Sequence, residues 1–155
     1  MSAVLPDELR AELDRAAIRE LMLRYAAGLD RRDFAMVRAC FTTDAHASYS
    51  GTELDPGVDA IIAYVRSISA LRSSMHVVCN VLVELRGDTA SSETYTVAYL
   101  SDVREGGEVI LVRALRYRDE LVRDADAGWL IHRRVHIPEM MFTAEGLPAV
   151  MHPER

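Results

Sequence analysis

The chain has 155 residues, of which 50% are hydrophobic and 27% are charged, and its formal net charge at pH 7 is −6. This length and composition are typical of one compact domain with a sizeable core, and the acidic excess argues against a nucleic-acid surface. No apolar run is long enough to span a membrane, and the first twenty positions carry too many charges for a signal peptide, so we expect a cytoplasmic protein.

The N-terminal half has the periodicity of amphipathic helices. Apolar residues recur at three- and four-residue steps from Leu9 to Leu29, which predicts one long helix. Asp33 can then cap a short second helix that runs to Phe41, and a brief strand follows over residues 45–50. After a loop over residues 51–57, the apolar spacing from Val58 to Leu71 predicts a third helix.

Beyond Ser73 the sequence is typical of β-structure. Four long runs are separated by turn signals at residues 86–88, 105–107 and 124–128, which predicts four consecutive antiparallel strands. Helices followed by a strand meander indicate a single α+β domain, with its core over residues 9–141. Because several runs are apolar on both faces, we expect helices on one face of the sheet and a second copy of the chain on the other, as a homodimer. The tail, residues 142–155, is expected to cover the pocket mouth or the partner subunit.

Short motifs occur along the chain in a characteristic order: Ile18-x-x-Leu21-x-x-x-Tyr25, Leu29-Asp30-Arg31-Arg32-Asp33-Phe34, Phe41-x-x-Asp44-Ala45, His76-x-x-x-Asn80, Gly87-Asp88-x-Ala90, Tyr117-x-Asp119-x-x-x-Arg123 and Trp129-x-Ile131. In order and spacing the chain resembles the NTF2-like superfamily, and within it the SnoaL-like branch of scytalone dehydratase, bile-acid dehydratases and polyketide cyclases. The resemblance implies a cone-shaped α+β fold, with N-terminal helices packed on a strongly curved, mostly antiparallel sheet. It also implies a pocket between the helices and the concave face of the sheet.

The resemblance further implies a catalytic site. In dehydratase-like members a Tyr and an Asp near the end of the first helix face a His on the first long strand, and Tyr25, Asp30 and His76 match these positions. An Arg from the last strand completes the set, and Arg134 matches it better than the neighbouring Arg133. Dehydration of a β-hydroxy carbonyl compound needs a base, an acid and a donor to the developing oxyanion. His76 is suited to the proton transfers, and Asp30 would orient its ring. Tyr25 would donate a hydrogen bond to a substrate carbonyl, and Arg134 would neutralise a negative charge on the substrate or on the developing oxyanion.

Each of these four residues also has a purely structural interpretation. Tyr25 could be a core aromatic, Asp30 a turn former, His76 a strand-end residue and Arg134 part of a solvated face. Their combination favours a dehydratase that acts without a metal or organic cofactor on a hydrophobic, oxygenated, cyclic small molecule. An isomerase or cyclase using the same pocket is the first alternative. A non-catalytic module that binds a small molecule or dimerises is the second.

Three further tyrosines are candidate substrate contacts. Tyr49 lies on the short strand that carries the base in the ketosteroid-isomerase branch, so it is either a second carbonyl donor or ordinary strand packing. Tyr95 and Tyr99 share one strand face and either line a pocket for a flat polycyclic ligand or pack at the dimer interface. By alternation His132 and His136 would also share a face, but about 13 Å apart, which is too far to bind one metal ion.

Overall fold

The computed structural model describes residues 6–105 and 107–146. Three α-helices are present in this part of the chain, namely α1 (Asp7–Arg31), α2 (Phe34–Arg38) and α3 (Val58–Val65), and a 3-10 turn (Arg66–Ala70) continues α3. The strands are β1 (Phe41–Tyr49), β2 (Thr52–Glu53), β3 (Ser73–Arg86), β4 (Thr89–Arg104), β5 (Gly107–Asp124) and β6 (Gly128–Gly146). No helix among the described residues combines the length and apolar character needed to cross a membrane.

A tight turn ends α1 and sets the direction of α2. Arg32 adopts a left-handed backbone conformation with φ of 59° just after the last residue of α1. A Cβ atom on Gly28 would lie only 2.8 Å from the Val37 side chain, so glycine allows the two helices to approach closely. The Asp33 side chain accepts a hydrogen bond of 2.9 Å from a backbone N–H in the first turn of α2, which confirms the predicted cap. This turn fixes the end of α1, which carries Asp30.

The six strands form one sheet in the order β2-β1-β6-β5-β4-β3. The four long strands pair consecutively and antiparallel, as predicted from the turn signals. The sequence did not predict that β1 begins at Phe41 and pairs in parallel with β6. Phe142 pairs with Val112, so residues 142–146 continue β6 and do not begin a separate tail, and residues 147–155 lie outside the described residues.

The two faces of the sheet have different surroundings. The helices cover one face, where Ala98, Leu115 and Tyr117 are buried together with the apolar side of α1. On the opposite face Tyr99 pairs with Met75 on one neighbouring strand and with Val112 on the other. The flanking Met75 is 61% exposed and Tyr99 is 44% exposed. The expected helix layer is therefore present on one face, and in a single chain the other face is open.

A β-bulge at His132 changes which side chains of β6 point inward, because two residues of β6 there oppose one residue of β5. Ile131 and Arg134 are both fully buried although they are three residues apart, whereas Arg133 is exposed. The prediction that His132 and His136 share a face by simple alternation is therefore wrong. Arg134, and not Arg133, points into the interior.

Candidate active site

A cavity of about 250 Å³ lies between the helices and the covered face of the sheet. Helix α1 and strands β1, β3, β5 and β6 contribute most of its polar lining, whereas α3 and the 3-10 turn each contribute one polar and one apolar residue. The apolar wall consists of Leu29, Val65, Ile68, Leu71, Ala98, Leu100 and Leu115. The polar and aromatic groups are Tyr25, Tyr49, Tyr64, Ser67, His76, Arg113, Tyr117 and His136. A mostly apolar cavity with a few polar groups is typical of a site for a small hydrophobic molecule.

His76 lines this cavity and is hydrogen-bonded to Asp30. Oδ1 of Asp30 lies 2.6 Å from Nδ1 of His76, and Oδ2 accepts the backbone N–H of His76 at 2.8 Å. Burial would raise the pKa of Asp30, but the hydrogen bonds from His76 and Ser74 hold it below its usual value. The charged carboxylate therefore accepts a hydrogen bond from the Nδ1–H group of His76. Nε2 is then the ring nitrogen that is available to a ligand.

Strand alternation explains how β3 meets the end of α1. Ser74 and His76 are two residues apart, so both side chains point to the helix-covered face, while Met75 between them is exposed. The Ser74 hydroxyl donates to Oδ1 of Asp30 at 2.9 Å and accepts from Nη1 of Arg32 at 2.6 Å. Sequence reasoning missed Ser74 and Arg32, although the alternation around His76 was a usable signal for Ser74. Together they fix the carboxylate that orients the imidazole.

Tyr25 and Tyr49 form the second polar pair of the cavity wall. Their hydroxyl oxygens are 3.0 Å apart, and both side chains are buried. Burial raises the pKa of Tyr49 well above its usual value, so this phenol stays protonated and is able to donate a hydrogen bond. The Tyr25 ring packs edge-on against Phe41 and Tyr117, which fixes its position. The pair can hold a carbonyl oxygen of a ligand in the cavity.

Arg134 lies behind this wall in a sealed ion pair. Its Nε and Nη2 atoms each lie 2.8 Å from a carboxylate oxygen of Asp119, and neither side chain has exposed surface. Its guanidinium carbon lies 4.1 Å from the ring centroid of Tyr25 and 4.2 Å from that of Tyr117. Burial acts to lower the pKa of Arg134, but Asp119 outweighs it and raises this pKa well above the usual value. The expectation that Arg134 meets a negative group of the substrate is corrected, because Asp119 already neutralises it and it supports Tyr25 from behind.

Tyr95 and Tyr99 do not line this cavity. Their neighbours Ala98 and Leu100 do, so alternation along β4 turns both tyrosines to the open face of the sheet. Tyr95 is 38% exposed, and its hydroxyl donates to Glu93 at 3.1 Å. Both tyrosines thus lie outside this cavity, and their roles in substrate binding or in a dimer interface stay predictions.

Two cavity residues, Arg113 and His136, were not among the predicted site residues. The His136 ring stacks on Tyr49 with a centroid distance of 5.4 Å, and its Nδ1 lies 3.3 Å from the Ser50 hydroxyl. Burial and, secondly, the positive charge of Arg113 lower the pKa of His136 to about 4, so its imidazole is neutral at pH 7. The signal for Arg113 was a charged residue inside an otherwise apolar run over residues 109–115.

Other parts of the described structure offer no comparable constellation. A wider groove of about 610 Å³ lies on the open face, but charged residues such as Glu84, Glu93 and Arg118 line it and none of the proposed catalytic residues reaches it. Among residues 6–105 and 107–146, no group of three His, Cys, Asp or Glu side chains is arranged to hold a metal ion. The mostly apolar cavity between the helices and the sheet is therefore the candidate active site.

Solved structures with the same fold include two enzyme-related proteins. A candidate scytalone dehydratase from Novosphingobium aromaticivorans superposes with a TM-score of 0.76 at 21% identity, covering 92% of this chain and 94% of that one. Hexachlorocyclohexane dehydrochlorinase LinA type 2 gives a TM-score of 0.79 at 17% identity, covering 93% of this chain and 100% of that one. At these identities the likeness shows a shared fold, which is the NTF2-like, cystatin-like fold predicted from the sequence.

Sequence comparison gives the family directly. The uncharacterized protein Rv2910c of Mycobacterium tuberculosis is 31% identical over 128 residues, which cover 79% of this chain and 83% of the relative. The model of the SnoaL-like domain matches residues 10–135, which run from the first turn of α1 into β6. This chain therefore belongs to the SnoaL-like domain family.

Proposed function

We propose that this protein is a lyase that removes water from a hydrophobic, oxygenated, cyclic small molecule without a metal or organic cofactor. The observation that carries the proposal is His76, which lines a mostly apolar cavity and whose Nδ1 lies 2.6 Å from Oδ1 of Asp30. An Asp-oriented imidazole with a free Nε2 is able to accept and return a proton. The dehydrochlorinase and candidate dehydratase of the same fold lend support, since both names describe elimination reactions.

The proposed reaction uses two groups of the cavity wall. Nε2 of His76 removes the proton α to a carbonyl group, while the carbonyl oxygen accepts a hydrogen bond from the Tyr25–Tyr49 pair, whose hydroxyls are 3.0 Å apart. The electron pair of the broken C–H bond forms the enolate. The enolate then expels the β-hydroxyl group, which takes the proton back from the His76 imidazolium and leaves as water. Asp30 keeps its negative charge throughout and stabilises the imidazolium.

Replacement of His76 tests this assignment. We expect His76→Ala to lower kcat/KM by about 10²–10⁴-fold on any cyclic β-hydroxy ketone that the wild type dehydrates, because the proton shuttle is lost. Product is measured by mass spectrometry as the loss of one water. The matched control is His46→Ala, since His46 is an exposed histidine of β1 outside the cavity. Equal activity of the two variants would contradict the proposal.

An isomerase or cyclase would use the same first proton transfer and differ in the fate of the enolate. Exchange of the α-proton with D₂O separates the steps, because it requires His76 but no leaving group. A ketone that lacks the β-hydroxyl group should exchange its α-proton in the wild type and not in His76→Ala. If exchange occurs but no hydroxylated ketone loses water, the isomerase or cyclase hypothesis replaces the lyase hypothesis.

We also propose that the open face of the sheet packs against a second copy of the chain. Met75, Tyr99 and Phe142 lie in register across this face, and all three are more than 40% exposed: 61%, 44% and 58%. An exposed apolar row of this kind favours an interface over solvent. Tyr99→Glu should shift the mass measured by light scattering from dimer to monomer, whereas a wild-type monomer would contradict the proposal.

A further inference from the structure

The Arg113 side chain is the one arginine of the cavity lining within the described residues, and it has no carboxylate partner there. Its Nε atom is buried and makes no hydrogen bond with any described residue. Its only hydrogen bond in this part of the chain runs from Nη2 to the Ser50 hydroxyl, at the long distance of 3.4 Å. A guanidinium group carries five N–H donors, so most of its capacity is unused.

The other groups around Arg113 do not supply the missing negative charge. His136, the neighbouring titratable group, is kept neutral at pH 7, partly by Arg113 itself. Asp30 is held by His76 and Ser74, and Asp119 is held by Arg134 behind the cavity wall. A buried N–H without an acceptor and a positive charge without a counter-charge are both unfavourable, and a bound anion would relieve both. A neutral ligand with an acceptor oxygen would satisfy the N–H group but would leave the positive charge without a counter-charge.

The sheet register places Arg113 opposite the proton shuttle. His76 pairs with Ala98 on β4, and Ala98 pairs with Arg113 on β5, so the three residues form one row across the cavity floor. Two strand spacings separate the outer members by about 10 Å at the backbone. The small, buried Ala98 side chain lies between them and leaves the floor open. A ligand lying along this row touches His76 at one end and the guanidinium at the other.

We infer that the cavity binds substrates bearing a carboxylate, and that Arg113 is the residue that holds this group. The inference rests on the proposed function in taking the bound molecule as the substrate of His76. It narrows the substrate class to a hydrophobic, cyclic carboxylic acid whose reacting carbon lies away from the carboxylate, at the His76 end. Arg113 thereby takes the role of substrate-facing cation that the sequence suggested for Arg134.

Binding of matched carboxylates and amides to the full chain tests the inference. Isothermal titration calorimetry is run with benzoate, 2-naphthoate and 4-biphenylcarboxylate, each against its neutral amide. We expect the wild type to prefer at least one carboxylate over its amide. Arg113→Gln should weaken binding of that carboxylate by about 10–100-fold, the range for hydrogen bonds to a charged group, and change amide binding by less than about twofold. Arg113→Lys should keep part of the preference, because the charge remains.

Arg133→Gln is the control with the same charge change, since Arg133 is exposed on β6 and lines the groove of the opposite face. The inference is overturned if no carboxylate of the series binds better than its amide, or if Arg133→Gln weakens binding as much as Arg113→Gln does. Thermal melts of each variant show that it is folded.

His76→Ala separates this inference from the proposed function. The variant should lose any lyase activity and retain the Arg113-dependent preference for the carboxylate. A preference without any His76-dependent reaction would refute the proposed function and keep the inference. His76-dependent elimination with no carboxylate preference would refute the inference and keep the proposed function.

Discussion

Two pairs of an Asp with a basic side chain lie close together in this protein and differ in what they can do. Asp30 and His76 meet at the edge of the cavity, with side chains 23% and 7% exposed, and one ring nitrogen of His76 remains available. Asp119 and Arg134 meet behind that wall, with no exposed side-chain surface at all. The open pair can exchange a proton with a ligand, whereas the sealed pair can only hold its neighbours in place. Exposure, more than residue type, separates a catalytic candidate from a structural one.

Tyr25 connects the two pairs. Its ring centroid lies 4.1 Å from the guanidinium carbon of Arg134, and its hydroxyl oxygen lies 3.0 Å from that of Tyr49 in the cavity wall. The sealed Asp119–Arg134 pair therefore fixes the position of the Tyr25 phenol, which the proposed reaction uses together with His76. A buried ion pair holds its neighbours rigidly, since moving either group away would leave the other charge unpaired in an apolar environment.

The largest effect is expected on stability, from breaking the sealed pair. Asp119→Asn removes the negative charge but leaves Arg134 fully buried, so we expect a loss of about 3–5 kcal/mol in the free energy of unfolding. Urea denaturation monitored by circular dichroism measures it. The control is Asp59→Asn, which removes the partner of Arg38 in an exposed ion pair and should change stability little.

Removing both members of the sealed pair sharpens the result. The double variant Asp119→Leu with Arg134→Met leaves no unpaired charge, so it should recover much of the stability lost by Asp119→Asn. A double variant as unstable as the single one would mean that the aromatic contacts of Arg134 with Tyr25 and Tyr117, and not its charge pairing, dominate its contribution.

The next effect is expected on activity, from changing the open pair. Asp30→Asn still accepts one hydrogen bond but no longer carries the charge that orients and stabilises the His76 imidazole. We expect kcat/KM to fall by about 10²-fold, mostly through kcat, with a smaller loss of stability than Asp119→Asn causes. Steady-state kinetics and urea denaturation are compared for both variants. The comparison of the two pairs would fail if Asp30→Asn lost activity only in proportion to lost folded protein.

The open pair could be predicted from the sequence because its members have local signals. Asp30 ends a helix with clear periodicity, and His76 interrupts a strand that follows a recognisable turn-rich segment. The antiparallel meander was predictable for the same reason, since each of its turns is marked by nearby Gly or Asp residues. The motif order along the chain then brought these two residues together through the resemblance to the SnoaL-like branch.

The sealed pair and the far end of the cavity were not predictable in this way. The parallel pairing of β1 with β6 joins segments about ninety residues apart, and nothing local specifies it. The bulge at His132 inverts the alternation of β6 without a glycine to mark it, so the partner of Arg134 could not be read from spacing. Arg113 faces the cavity only because the register of three strands places it in the row of His76.

The last effect is confined to acidic pH and concerns His136, a further ionisable group of this region that has no carboxylate partner among the described residues. Its pKa falls from 6.5 to about 4 in the folded chain, because of burial first and the Arg113 charge second. Below pH 6.5 the unfolded chain therefore binds a proton that the folded chain does not, and stability falls as the pH is lowered towards 4. The loss is at most about 1.4 kcal/mol per pH unit, and there is none above pH 6.5.

His136→Gln removes this titration, so its free energy of unfolding should depend less steeply on pH between 6.5 and 4 than that of the wild type. Urea denaturation at several pH values in this window measures both slopes, and His46→Gln controls for an exposed histidine. Identical slopes in wild type and His136→Gln would mean that the pKa of His136 does not fall on folding. Burial and the Arg113 charge would then not act on His136, which would contradict an unpaired Arg113 charge at the far end of the cavity.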